Sequence, residues 1–142
     1  MKIKHLANKI IAKHKTNDPF VIAENMGIIV TFEPLGNLRG YYNNFKRNRF
    51  IHINNNLPHQ EQRVVCGHEL GHAVQHKGLN ICFLESNTYF VKSKLEREAN
   101  LFCAHLLFTD EVLSNYMNNG FTINQIAATE NVSPELLKLI TL

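Results

Sequence analysis

The chain of 142 residues is 44% apolar and 19% charged, the balance of a folded globular protein and not of a disordered one. Its net charge of +3, from 15 Lys and Arg against 12 Asp and Glu, is too mild to argue for direct nucleic-acid binding. The length suits one domain over residues 1–142, no run of ~18 apolar residues marks a membrane span, and three cysteines without C-x-x-C spacing suggest a cytoplasmic protein.

Ile3, Leu6, Ala7, Ile10 and Ile11 recur at helical spacing and predict an amphipathic first helix over residues 3–14, with no apolar signal core before it. Asp18 before Pro19 reads as a cap followed by proline at the first helical position, and Gly27 as a stop, so a second helix is expected over 19–26. Residues 28–32 read as a strand broken by Pro34 and Gly36. A second strand starts at 38–42, with Asn43 and Asn44 extending it, and a third covers 50–54, with residues 46–49 as the turn between them. The expected class is α+β, with a small antiparallel sheet of about three strands packed with helices.

Pro58 near a first helical position opens a helix over 58–76, and Lys77 with Gly78 supplies its stop. Residues 79–92 form an irregular, mostly apolar connection able to shape a cleft. A strongly helical stretch follows over 93–108, its core face made by Leu95, Ala99, Phe102, Cys103 and Leu106. Shorter helices are expected over 110–118, 122–128 and 133–140, so that residues 109–142 pack onto the rest.

Within the 58–76 helix, His68-Glu69-Leu70-Gly71-His72 is an H-E-x-x-H segment. Residues four apart lie one turn above each other, so His68 and His72 can offer two imidazoles to one metal ion. Glu69 is offset by one position, where it can act as general base toward a water without ligating the metal. Zinc, one ion per chain, suits two His and a carboxylate with a fourth position open. The bland alternative is a solvated polar face. Gly71 argues against it, because glycine costs about 1 kcal/mol in a helix and is better explained by something packing close there.

The third ligand must come from another element. The metzincin spacing fails, since Gln75 and Gly78 stand where Gly and His would be needed. In a thermolysin-like, zincin arrangement a later Glu serves, and Glu96 leads, with Asn100 one turn on to hold a ligating His from behind. Against this, Ser93-x-x-Glu96 also reads as a capping box, which would give Glu96 a structural task. Glu98, on a different face, reads as a solvated charge.

These residues resemble the ImmA/IrrE family of metallopeptidases. The likeness is carried by His68-Glu69-Leu70-Gly71-His72-Ala73 and by Glu96-Arg97-Glu98-Ala99-Asn100-Leu101-Phe102-Cys103-Ala104, with further similarity at Gly40-Tyr41-Tyr42 and Ile51-His52-Ile53-Asn54. Cys103 departs from the Ala usual in that family, and Phe108-Thr109 from Met-Pro. The resemblance implies zinc held by His68, His72 and Glu96, Glu69 as general base, and limited, site-specific cleavage of a helix-turn-helix repressor of a phage or integrative element.

His76, one turn past His72, is expected behind the ligands or lining the cleft, because three His on one straight helix span too far for one ion. Tyr42 is the candidate oxyanion stabiliser, with Tyr41, Tyr89 and His105 as others. Strand 50–54, if at an edge, could take up an extended substrate by strand addition. Residues 122–133 resemble the start of a DNA-binding helix-turn-helix, which raises a non-proteolytic, metal-containing regulatory or binding module as the rival function. The supposed recognition helix carries only Lys138 as a cation, so packing is the better account.

Overall fold

The helix that carries H-E-x-x-H is sandwiched between a sheet and a second long helix. The computed structural model describes residues 2–76 and 89–141, for 89–93 the backbone alone. The expected stop at Lys77 and Gly78 and residues 79–88 of the connection expected over 79–92 lie outside the described residues, while residues 89–92 of that connection are helical and belong to the long helix that follows. In order, the elements are α1 (Lys2–His14), α2 (Pro19–Asn25), β1 (Ile28–Glu33), β2 (Gly40–Phe45), β3 (Asn48–Asn54), α3 (His59–Gln75), α4 (Tyr89–Leu107), α5 (Asp110–Asn118), α6 (Ile123–Glu130) and α7 (Pro134–Lys138). No helix among the described residues is long and apolar enough to cross a membrane.

Local chemistry sets several of these boundaries. Asp18 caps α2 by accepting from the Phe20 amide at 2.9 Å, with Pro19 at the first helical position. Thr122 and Gln125 form a reciprocal capping box at the start of α6. The β2–β3 hairpin turns on two residues only, Lys46 and Arg47, at φ of 49° and 69°. Both therefore occupy the left-handed region that such a tight turn demands and that Asn-Gly would occupy at less cost.

The class is α+β as expected, but the sheet is mixed and not antiparallel throughout. Its order is β1-β3-β2: β2 pairs antiparallel with β3, while β1 pairs parallel with β3, Ile28 opposite Arg49 and Glu33 opposite Asn54. The chain leaves β1, crosses the end of β3 and returns on its far side. Asn54 makes this crossing possible. Its side-chain amide donates to the carbonyls of Gly36 and Leu38, and its own amide donates to Arg39. The 34–39 crossing thus has buried partners for its backbone, which would otherwise cost about 1–3 kcal/mol per unsatisfied group. Since β3 is central, strand addition cannot use it; among the described residues β1 and β2 form the edges of this sheet.

Ile51, Ile53 and Tyr42 on one sheet face meet Val65, Cys66, Leu70 and Ala73 of α3, and α4 adds Phe102 and Leu106. Each fully buried Leu, Ile or Phe here contributes about 2–3 kcal/mol through its removal from water. A second cluster forms where α5, α6 and α7 cover the last turns of α4, joining Cys103, Leu107 and Phe108 to Ile126, Leu136 and Leu137. α7 spans five residues, buries Leu136 and Leu137, and pairs Lys138 with its own Glu135 at 3.4 Å.

Candidate metal centre

α3 presents His68 and His72 one turn apart, and α4 crosses beside it with Glu96 facing both rings. His68 Nε2 lies 3.2 Å from one carboxylate oxygen of Glu96, and His72 Nε2 lies 2.5 Å from the other. One ligand atom from each residue falls within 4.8 Å of the others, the one such group found among the described residues. The close crossing depends on Gly71. A Cβ there would stand 3.1 Å from both Cα and O of Ala99 and 3.2 Å from Cβ of Phe102. This is the close packing that the glycine implied. One turn earlier, a Cβ on Gly67 would meet the Cys103 sulfur at 2.9 Å.

Each imidazole is oriented from behind. His68 donates through Nδ1 to Asn100 Oδ1 at 2.7 Å, which leaves its Nε2 lone pair facing Glu96. His76 donates through Nε2 to Glu98 Oε1 at 2.9 Å, so its Nδ1 accepts from His72 Nδ1 at 2.8 Å. In the neutral rings, His72 Nε2 is then also a lone pair aimed at Glu96. Two lone pairs and a carboxylate in contact lack a positive charge between them. A divalent cation would supply it, and the donor set of two nitrogens and a carboxylate is the kind that zinc takes. The residues present therefore fit a metal.

The electrostatics agree. Burial works to lower the His68 pKa, but its bond to Glu96 and the charges of Glu69 and Glu96 raise it overall. Burial dominates at His72 and lowers it, helped by the neighbouring His68 and His76. At Glu96 burial opposes the charge, yet the bonds and charges of the two imidazoles hold its carboxyl well below the usual range. Glu69 is 6% exposed, with a carboxylate oxygen 4.0 Å from His68 Nε2. It lines the same cleft of about 340 Å³ as His68, Glu96, Asn100, Arg39 and Gly40.

The chain matches the Peptidase_M78 family, described as the IrrE N-terminal-like domain, over residues 23–139. It belongs to the ImmA/IrrE family. Among its relatives in this family, "Uncharacterized immunity region protein 2" of Bacillus phage phi105 is 39% identical over 138 residues, 96% of this chain and 87% of that protein. "Metallopeptidase ImmA" of Bacillus subtilis (strain 168) is 37% identical over 134 residues, 92% of this chain and 78% of its own. The family match opens within α2 and runs through α7, so the sheet, both site helices and the C-terminal cover all belong to the ImmA/IrrE unit.

The structure decides several points that the sequence left open. α4 begins at Tyr89, so Ser93 lies inside the helix and cannot cap it, and Glu96 has no capping task. Asn100 and His76 stand directly behind the two site imidazoles. Glu98 reaches His76 and is not simply solvated. Its signal was faint, because its partner His76 lies 22 residues away in sequence. Tyr42 does not line the cleft. It is wholly buried and its hydroxyl donates to Asn44, which argues against an oxyanion role. His105 sits nine residues from Glu96, half a helical revolution away, beside Lys4 and Asp110. The side chain of Tyr89 is outside the described residues.

Proposed function

We propose that the protein is a zinc-dependent endopeptidase in which His68, His72 and Glu96 hold the metal and Glu69 is the general base. The observation that carries this reading is the convergence of two oriented imidazole lone pairs on Glu96, with the Glu69 carboxylate beside them in an open cleft. Zinc bound there would polarise the scissile carbonyl and make water a better nucleophile near neutral pH. Asn100 fixes the His68 ring, and the His76–Glu98 pair fixes that of His72, so both nitrogens keep their aim. Glu69 takes the proton from the attacking water and delivers it to the leaving amine nitrogen. Gly40 at the start of β2 lines the cleft, and β3, being central in the sheet, cannot take up an extended substrate by strand addition.

The protein substrate we propose is a helix-turn-helix repressor of a phage or integrative element, cut at few sites in the cytoplasm. Family membership and a relative named as a phage immunity-region protein support that choice. The buried free thiols of Cys66 and Cys103 fit a reducing compartment. The test pairs metal content with cleavage of the repressor encoded beside the protein. Wild type should carry about one zinc and cut. Glu69→Gln should keep the zinc and lose cutting by at least about a hundredfold. Cutting by Glu69→Gln at the wild-type rate, or a wild type unable to bind zinc, would sink the peptidase reading and favour the binding module.

A further inference from the structure

We propose that the groove walled by α3, α6 and α7 binds apolar residues of the polypeptide substrate that flank the bond being cut. This rests on the peptidase reading and adds where, and by what chemistry, the substrate is held. A cavity of about 1230 Å³ lies between the first turns of α3 and the α6–α7 pair. Val64, Ala127, Val132 and Leu136 line it, with Ala128 and Leu139 on its exposed wall. Leu139 remains 41% exposed, a large apolar side chain turned to solvent at the groove.

The cavity is not separate from the candidate metal centre. Arg39, Val64 and Asn100 line both it and the cleft at His68, Glu69 and Glu96, so the two adjoin across these three residues. They differ in chemistry. The cleft end is polar and suits a peptide carbonyl, while the far end presents Val132, Leu136 and Leu139 among polar side chains such as His59, Gln60 and Glu135. Arg39 and Glu61 pair at 3.1 Å on the border, so that pair brings no net charge to favour an acidic or a basic side chain. The far end alone exceeds the ~300–1,000 Å³ of an ordinary small-ligand pocket and has room for several side chains. A peptide with its carbonyl at the polar end would lay its neighbouring residues along the far end. A second copy of the chain seated in the groove would instead bar the substrate from the cleft.

The test uses the zinc-loaded full chain beside Ala128→Glu and Leu139→Glu, both exposed positions outside the lining of the cleft at His68, Glu69 and Glu96, on a proteome-derived peptide library read by mass spectrometry. Wild-type cuts should be enriched for Leu, Ile, Val, Met or Phe within a few residues on one side of the bond. Both variants should still cut, with that enrichment reduced about fivefold or more. The same apolar preference in wild type and variants would overturn the groove. A direct measurement separates this failure from failure of the peptidase reading. Fluorescence anisotropy follows a labelled Leu- and Ala-rich peptide binding to Glu69→Gln protein, with and without Leu139→Glu. Binding weakened about tenfold by Leu139→Glu supports the groove even where no cleavage is seen. Equal binding by both, or binding by neither, overturns it. A dimer in light scattering that Leu139→Glu dissolves would also overturn it, by making a second copy the occupant.

Discussion

Replacing Gly71 by alanine sets two effects of known sign against each other. In an isolated helix the change stabilises by about 1 kcal/mol, because glycine is the poorer helix former. Here the new methyl would press on Cα and O of Ala99 at 3.1 Å and on Cβ of Phe102 at 3.2 Å. Two of those three atoms are backbone and cannot rotate aside, so α3 and α4 must part by a few tenths of an ångström. Overpacking of this kind costs about 1–3 kcal/mol, so the net expectation is destabilisation of up to about 2 kcal/mol. The same movement carries His68 and His72 away from Glu96, and zinc affinity should fall about tenfold. Urea unfolding of the metal-free protein measures the first effect, and competition with a fluorescent chelator measures the second. A Gly71→Ala protein that is more stable by about 1 kcal/mol and binds zinc like wild type would refute the close-packed seam.

Glu96→Ala should abolish zinc binding, while Asn100→Ala and Glu98→Ala should retain it with affinity reduced about 10–100-fold, as chelator competition would register; equal affinity in all three would refute the assigned geometry. His105 supplies a pH prediction away from the metal centre. Burial, then the charge of Lys4, lowers its pKa against an opposing pull from Asp110, and its Nε2 has no hydrogen-bond partner among the described residues. Below about pH 6.5 the unfolded chain therefore binds a proton that the folded chain resists, so this residue makes stability fall as pH is lowered. His105→Gln should flatten the decline between about pH 7 and 5 in urea titrations, and an unaltered slope refutes it. In the β2–β3 hairpin, Lys46→Asn with Arg47→Gly should stabilise by about 1–2 kcal/mol, since both residues hold positive φ; no gain in the urea midpoint would show that the turn is not strained.

Short-range rules determined most of the elements from the sequence. Apolar spacing marked α1 and most of α4, Asp18 before Pro19 marked α2, Pro58 marked the start of α3, and the four-residue spacing of His68 and His72 put two imidazoles on one helix side before any packing was known. Such signals are legible because each depends on residues within a turn or two. The order of the strands was not legible. Alternation tells which face of a strand is buried but not which strand lies beside it, and the parallel β1–β3 pairing depends on Asn54 meeting the carbonyls of a crossing 16 and 18 residues away in sequence. The bond between His76 and Glu98 was likewise hidden, because 22 residues separate them. For Glu96 the sequence offered both a capping task and a place at the metal. Tertiary structure removes the capping task, because α4 starts before Ser93, and the bare backbone at Gly71 lets the two helices approach until one carboxylate reaches both rings.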